Sequence, residues 1–329
     1  MKDIRYVCKR LLDMNYKAMF QKLHSIHKKT GKSYLWLLWD MQHCATNYGA
    51  GYMDYDLFEM YNLTDAQRDT YLTRGRNNAL VKQYNDMSFG HILRNKGEFN
   101  QRFSDLVGRE WALLSQKEEA LALMRRQGIF MAKPLNGTCG KGIEKIDLKK
   151  HGSAEEVYEQ LSQTGEYLLE EVIPQHPAVS AIYPHAINTV RTVTIRKDGV
   201  THIICTYFRI GNNGRHVDNF NSGGMVAPVD EKTGIVADRA IDKNKILYAD
   251  HPMTGTPIQG FQFPDWDKAM ELVKEAAARI PEMGYLGWDI AFSANGPLLV
   301  EGNEYPGHDI YQLPEHTPHK IGVMPKFRV

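Results

Sequence analysis

The segment over residues 287–307 constrains the fold most, because it reads as two apolar strands joined by a tight turn. A three-residue loop over residues 294–296, with its glycine in the left-handed conformation, would close the hairpin. In that register Asp289 stands opposite Glu301, whereas a two-residue loop would put Asp289 on the other face of the strand. The segment therefore predicts a buried β-hairpin with two facing acids.

Three side chains that carry oxygen share one face of this predicted hairpin. Glu301 and Asn303 are two residues apart, so they point to the same side of a strand, and Asp289 joins them from the partner strand. Two carboxylates and an amide suit Mg²⁺, a hard cation that prefers oxygen ligands and phosphates. Solvated acids at a strand end are the alternative, but the apolar neighbours indicate burial, and a buried carboxylate needs a partner.

Bulk composition is that of an ordinary globular protein. The 329 residues are 43% hydrophobic and 24% charged, with a formal net charge of +1, which argues against a nucleic-acid-binding protein. Four cysteines lie far apart without a C-x-x-C pair, so we expect neither a disulfide framework nor a zinc site, and we predict a reducing cytoplasm. Charges interrupt the early apolar runs, so no signal peptide is expected.

The first part of the chain has the pattern of helices. Apolar positions keep helical spacing between Ile4 and Ile26, and Thr64 with Gln67 forms a capping box that opens a second helix toward Tyr84. We therefore predict a helical N-terminal region over residues 1–94.

Residues 95–329 mix helix and strand patterns. Ser115 with Glu118 predicts a helix that ends at Gly128, and Ser153 with Glu156 predicts another. The predicted strands cover residues 129–133, 167–172, 189–196 and 200–209, and a further helix covers residues 265–280.

A lysine and a glycine-rich loop follow the first of these strands. Lys133 ends the strand, and glycines beyond it would let backbone N–H groups approach an anion. The spacing is not that of a Walker loop. Taken alone, the segment is equally typical of a phosphate-binding loop and of a flexible hairpin tip.

Two arginines occupy the strands of one predicted hairpin. Arg191 and Arg209 suit bidentate contact with phosphate or carboxylate, although each alone is typical of a surface ion pair.

The strand over residues 167–172 could present backbone groups to an adenine edge or be a plain strand with exposed acids. Residues 218–224 add amide side chains before a paired-glycine turn.

The order of these pieces resembles the ATP-grasp superfamily. Lysine, glycine-rich loop, E-E-V-I, N-T-V-R, F-R and N-F-N-S-G-G precede a closing D…E-x-N-x-x-P-G that is similar to D-alanine–D-alanine ligase and the ribosomal glutamate ligases. The chain most resembles the sugar-transfer-associated, alpha-L-glutamate-ligase-like ATP-grasp proteins. The resemblance implies an α+β ATP-grasp fold over residues 95–329, with a smaller nucleotide lobe over about residues 115–173 and a larger metal and catalytic lobe over about residues 174–329.

The resemblance also implies roles for individual residues. The implied ATP-binding residues are Lys96, Lys133, Gly137, Thr138, Gly140, Lys141, Gly142, Glu170, Glu171, Val172 and Ile173. The implied ligands of two Mg²⁺ ions, for which Mn²⁺ can substitute, are Asp289, Glu301 and Asn303. The implied catalytic residues are Arg209, Arg191 and Asn221.

The predicted reaction is ATP-dependent carboxylate–amine ligation through an acyl phosphate, joining an amino acid to a sugar, glycan or peptide acceptor. A kinase acting on a sugar or polyol hydroxyl, and a nucleotide-binding module without chemistry, are the alternatives. Many ATP-grasp ligases carry an N-terminal βαβ substrate domain, which this chain replaces with helices. Substrate assignments from those ligases therefore do not transfer, and the sequence does not specify an oligomeric state.

The N-terminus is strongly basic. Residues 1–33 hold nine Lys or Arg against Asp3 and Asp13, a net charge of +7. A basic amphipathic helix can contact an anionic membrane, which here would be the inner face of the cell membrane, or it can be a solvated face packed on the rest of the protein. Both interpretations remain open from the sequence.

Overall fold

The computed structural model describes residues 15–136, 142–215 and 217–329. It forms two compact units, one of residues up to Ala79 together with His308–Arg328, the other of Leu80–Gly307 with Val329. The predicted domain boundary at residue 94 falls inside the second unit. Predictions for residues 1–14, and for Gly137, Thr138, Gly140 and Lys141, lie outside the described residues.

The first unit is helical in the part that the structure describes. Its helices are α1 Tyr16–Thr30, α2 Tyr34–Tyr48, α3 Tyr52–Leu57, α4 Asp65–Arg68 and α5 Arg74–Tyr84, which continues into the second unit. Met19, Leu23 and Ile26 of α1 are buried, as their spacing predicts. None of the described helices is long and apolar enough to cross a bilayer.

One predicted helix begins at the expected residue and ends early. The capping box of Thr64 and Gln67 is present, but α4 ends at Arg68 and α5 begins only at Arg74. Between them the Leu72 N–H donates to the Gln312 side chain at 3.0 Å, so its backbone group is satisfied by a residue distant in sequence instead of a helix. The predicted continuous helix to Tyr84 is wrong for that reason.

The second unit contains two antiparallel sheets. The four-stranded sheet has the order β1-β4-β2-β3, with β1 Trp111–Leu113, β2 Ile129–Pro134, β3 Glu144–Asp147 and β4 Tyr167–Glu171. The seven-stranded sheet has the order β11-β10-β5-β6-β7-β8-β9, with β5 Thr189–Lys197, β6 Val200–Ile210, β7 Met225–Val229, β8 Ala240–Asp242, β9 Leu247–Tyr248, β10 Tyr285–Ser293 and β11 Gly296–Asn303.

Helices cover parts of both sheets. The helices of this unit are α6 His91–Arg94, α7 Lys96–Arg102, α8 Lys117–Gln127, α9 Leu148–His151, α10 Ala154–Thr164, α11 Pro177–Ile182 and α12 Trp266–Ala278. The predicted capping box of Ser153 and Glu156 is present on α10. The predicted cap at Ser115 is wrong, because that residue lies in a turn after β1 and Gln116 precedes α8 without a side-chain cap.

Candidate active site

The hairpin of β10 and β11 has the predicted pairing but reaches it by another route. Ser293 pairs with Gly296, so the turn has two residues instead of the predicted three. A register shift beside Asp289 then restores the pairing of Asp289 with Glu301. The turn prediction is therefore wrong, and the prediction that the two acids face each other is confirmed.

The register shift is a β-bulge at Val300, and it aims the acid side chain. Leu299 packs in the main core, and in a regular strand Glu301 would face the same core two residues later. The bulge places an extra residue in β11, so Glu301 lies beside Asp289 and Gly302 faces the core instead. The bulge thus keeps a carboxylate out of the core and presents it on the site face.

Gly302 has no room for a side chain. An added Cβ would lie 2.8 Å from Leu93 Cδ2 and 3.2 Å from atoms of both Phe99 and Trp288. Gly302→Ala should therefore lower the free energy of unfolding by about 1–3 kcal/mol through overpacking. Denaturant unfolding measures this change, and an unaltered midpoint would show that these neighbours yield freely.

Asp289 lies at the centre of the site, on the strand between β5 and β11. Arg191 on β5 contacts both carboxylate oxygens, through Nε to Oδ1 and through a 2.9 Å hydrogen bond from Nη2 to Oδ2. Arg209 on β6 donates from Nη1 to Oδ2 at 2.6 Å. Burial would raise the pKa of Asp289, but the two guanidinium groups outweigh burial and hold the pKa well below its usual value.

Glu301 and Asn303 form the open side of this acid cluster. The Glu301 side chain is 47% exposed, its Oε1 lies 3.9 Å from Arg191 Nη2, and Asn303 donates to that oxygen at 3.4 Å. Desolvation and the charge of Asp289 raise the pKa of Glu301 to about 7. A cation here would favour the carboxylate again.

The predicted metal-ligand set fits a hard cation in part. Glu301 and Asn303 offer accessible oxygens of the kind that Mg²⁺ prefers, whereas both oxygens of Asp289 contact arginine. Within the described ranges, no group of three His, Cys, Asp or Glu side chains is arranged to hold a metal ion. The set here is two carboxylates and one amide.

Arg209 is buried between two acids. Besides Asp289 it contacts Asp218, from Nη2 to Oδ1 at 3.1 Å, and Asp218 in turn accepts from the backbone N–H of Thr189 at 3.1 Å. Asn221 stands apart from this cluster, exposed on the short 3₁₀ turn Phe220–Ser222. The structure therefore brings both predicted arginines to Asp289 and leaves Asn221 on the surface.

A second charge cluster lies at the four-stranded sheet, around Glu170 on β4. Its side chain is 2% exposed, pairs with Lys133 on β2, and accepts from Arg109 Nη2 at 2.7 Å and Asn100 Nδ2 at 2.8 Å. Burial would raise the pKa of Glu170, but Arg109 and Lys133 outweigh burial and hold it far below its usual value. Glu170 therefore fixes the position of the Lys133 ammonium group.

Arg109 also connects this cluster to the hairpin of β10 and β11. From the same buried guanidinium group, Nη1 donates to the Leu299 carbonyl at 2.6 Å and Nη2 lies 3.4 Å from the Val300 carbonyl. These are the residues at the β11 bulge. One side chain thus contacts both the carboxylate that holds Lys133 and the backbone that aims Glu301.

Lys96 lies between the two clusters. Its Nζ donates to the Pro134 carbonyl at 3.0 Å, next to Lys133 at the end of β2. Burial lowers the pKa of Lys96, the carboxylate of Glu301 opposes that change, and Lys133 adds to it. The two predicted phosphate-binding lysines therefore stand near each other and near a predicted metal ligand.

The predicted adenine hinge follows β4. The strand ends at Glu171, Val172 has left it, and Ile173 is buried. Glu171 pairs through its backbone N–H with the Glu110 carbonyl at 2.9 Å. Gly142 has a φ of +73°, which suits glycine at the end of the predicted loop.

Sequence reasoning missed three polar residues of the site. They are Asn100, Arg109 and Asp218. Asp218 begins the run over residues 218–224, in which the amide side chains and glycines indicate a site but nothing indicates a role for the acid. Arg109 belongs to no motif. Their roles come from contacts with residues far away in sequence.

Several solved structures share part of this fold at low identity. The ADP complex of purK, N5-carboxyaminoimidazole ribonucleotide synthetase, is 14% identical with a TM-score of 0.44, covering 70% of this chain and 52% of that one. The ATP-grasp ligase PsnB with its minimal precursor is 16% identical, with a TM-score of 0.42 and coverage of 74% and 64%. D-alanyl-alanine synthetase A from Vibrio cholerae O1 biovar eltor is 14% identical, with a TM-score of 0.42 and coverage of 71% and 59%. The chain thus spans less than two thirds of the length of each.

No curated protein matches the sequence. The family model described as sugar-transfer associated ATP-grasp matches residues 75–320, which is well over half of the chain. That range contains both charge clusters, the two lysines Lys96 and Lys133, and the hairpin of β10 and β11. The chain is a member of the sugar-transfer-associated ATP-grasp family.

Proposed function

We propose that this protein is an ATP-dependent carboxylate–amine ligase that forms an amide through an acyl phosphate. The observation that carries the proposal is the convergence of Arg191 and Arg209 on Asp289, beside Glu301, on one face of the seven-stranded sheet. Such a site can hold a transferring phosphoryl group by charge and position, and these are the main demands of phosphoryl transfer.

In this proposal one group of residues binds the nucleotide and another holds the metal ion. Lys96 and Lys133 neutralise phosphate charge, while the backbone over residues 171–173 receives the adenine. Glu301 and Asn303, with Asp289, would hold Mg²⁺, and the ion would supply positive charge to the phosphates when bound. Two ions are expected from the family, with Mn²⁺ as a substitute.

The two arginines act on the transferring group. Each is a fixed cation on a β-strand, and Arg209 is almost fully buried, so its field is little weakened by water. We propose that they stabilise the negative charge that develops as a substrate carboxylate attacks the γ-phosphate. An amine then displaces phosphate from the acyl phosphate to give the amide.

No side-chain nucleophile is needed for this sequence of steps. The described cysteines are Cys44 and Cys205, and both are buried. Desolvation raises the pKa of the Cys44 thiol to about 12, so it is protonated and unreactive at neutral pH. The chemistry therefore falls to charged groups that position the reactants.

We further propose a sugar- or glycan-linked acceptor, as the family description suggests, with an amino acid as the carboxylate donor. Such a reaction would serve polysaccharide biosynthesis in the cytoplasm, at the inner face of the membrane.

The test is a screen of amino acids against amino sugars, in pairs, with ATP and Mg²⁺. We expect one inorganic phosphate released for each conjugate detected by mass spectrometry. A kinase would instead retain the phosphate on its product, and a nucleotide-binding module would consume no ATP with any pair. Either of those outcomes would overturn the ligase proposal.

A further inference from the structure

Exposed apolar side chains are concentrated on α1 and α2. Leu35 is 83% exposed and Trp39 is 64% exposed, although both are side chains that proteins usually bury. The large apolar residues exposed on these two helices are Tyr16, Phe20, Tyr34, Leu35, Trp36, Leu38 and Trp39. The other exposed apolar residues in the described ranges are dispersed along the sequence. Clustered exposure of this kind marks an interaction surface.

Helix α2 has two apolar faces. Leu37, Met41 and Cys44 are buried and pack into the core of the first unit. Leu35, Leu38 and Trp39 stand at i, i+3 and i+4 on the other side and face solvent. We call the exposed group of Leu35, Trp36, Leu38 and Trp39 the α2 surface. Among the residues that the structure describes, the inner face packs α2 into the fold and the outer face stays exposed.

Lysines predominate among the charges of α1 and α2, although Asp65 of α4, whose side chain is 64% exposed, pairs with His43 of α2 at 3.3 Å. Residues 15–48 contain five lysines and one acid, Asp40, which is buried and pairs with Arg68 at 2.8 Å. Lys22 and Lys29 pair with acids of the following segment, each at 2.5 Å. The remaining lysines, which form no ion pair with any described residue, are Lys17, Lys28 and Lys32. The Lys32 ammonium group lies over the Trp36 ring, 4.2 Å from its centre.

We propose that the α2 surface docks on an anionic phospholipid membrane. Tryptophan and leucine on one helix face, with lysines and no exposed acid on α1 and α2 themselves, are the chemistry of a helix that lies in the plane of a bilayer interface. Leu35 and Trp39 would enter the boundary between headgroups and acyl chains, and the lysines would face lipid phosphates.

A lipid surface fits better than a second copy of the chain. Two copies meeting at this surface about a two-fold axis would bring the same lysines together, and like charges oppose such a contact. An anionic membrane has the complementary charge. The sequence pattern is compatible with membrane contact through residues 1–33, and in this proposal the apolar part of the contact lies on α2, beyond those residues.

The test is co-sedimentation of the full chain with vesicles of phosphatidylserine and phosphatidylcholine, compared with phosphatidylcholine alone. We expect binding to the anionic vesicles at low salt and weaker binding at high salt, because exposed charges are screened. The double variant Leu35→Glu, Trp39→Glu should bind at least about tenfold more weakly, since two apolar anchors are lost and two negative charges are added.

Matched controls separate this surface from general effects. Val200→Glu with Ile246→Glu changes two other exposed apolar residues, 55% and 50% exposed, and should leave vesicle binding unaltered. Thermal unfolding of each variant checks that it is folded. Glu301→Gln, at an exposed side chain of the candidate active site, should keep wild-type vesicle binding, so the inference is tested independently of the proposed ligase activity.

Three outcomes would overturn the inference. Wild-type protein could fail to sediment with anionic vesicles at low salt. The double variant could bind as well as wild type, which would place the contact in another segment. Wild-type protein could form dimers that the double variant loses, which would make a second copy the occupant of the α2 surface.

Discussion

Glu301→Gln should abolish the Mg²⁺-dependent part of nucleotide binding and lower ligase turnover by about 100- to 1,000-fold. The substitution keeps the size of the side chain but removes the charge that a cation needs. Because the Glu301 side chain is 47% exposed, the fold should be preserved. Calorimetric titration with ADP, in Mg²⁺ and then in EDTA, measures the binding effect, and phosphate release measures turnover.

Glu271→Gln is the matched control. Glu271 is exposed on α12, and neither ADP binding nor turnover should change when it loses its charge. If Glu301→Gln behaved like this control, the hairpin would not hold the metal.

Asp289→Asn should remove the same activity and also destabilise the protein. Its carboxylate neutralises Arg191 and Arg209, which are both largely buried. Removing one charge from a buried ion-pair cluster costs about 3–5 kcal/mol of unfolding free energy, although Asp218 would still pair with Arg209. If both variants lose activity but only Asp289→Asn loses stability, then Glu301 acts in metal binding alone. Asp289 then also holds the two arginines in place.

Arg109→Met should lower the unfolding free energy by about 3–5 kcal/mol, because Glu170 would stay buried with less compensation. It should also weaken ADP binding, since Glu170 positions Lys133 and the same guanidinium group holds the bulge beside Glu301. Denaturant unfolding and calorimetry measure the two effects.

Two further variants make this second prediction specific. Arg125→Met breaks the exposed pair of Arg125 with Glu155 and should leave both measurements at wild-type values. Arg109→Met combined with Glu170→Met should recover stability, since no buried carboxylate remains, but should not recover ADP binding. Full ADP affinity in the single Arg109 variant would show that the cluster is structural only.

The hairpin of β10 and β11 shows which structural features local sequence can predict. The local sequence pattern predicts that the two strands are buried, that Glu301 and Asn303 share one face of a strand, and that Glu301 pairs with Asp289. It does not predict the bulge at Val300, because the bulge depends on Leu299 and Gly302 meeting a core built from distant segments. The sequence therefore predicts the correct pairing of Asp289 with Glu301 but the wrong length of turn.

The same limit applies elsewhere in the chain. The capping box of Thr64 and Gln67 is local and was predicted, whereas the end of α4 depends on Gln312, which is distant in sequence. Family motifs predict Lys96 and Lys133. Arg109, which connects the Glu170 cluster to the bulge, belongs to no motif, and only its contacts in the structure reveal its role.

In the proposed reaction a substrate carboxylate attacks ATP in this site, and one isotope measurement tests that step directly. A carboxylate substrate found by the pairwise screen would be labelled with ¹⁸O, and the phosphate released during amide formation would be analysed by mass spectrometry. Transfer through an acyl phosphate predicts one ¹⁸O atom in each phosphate. Unlabelled phosphate would show that water attacks ATP instead, and would contradict the ligase mechanism.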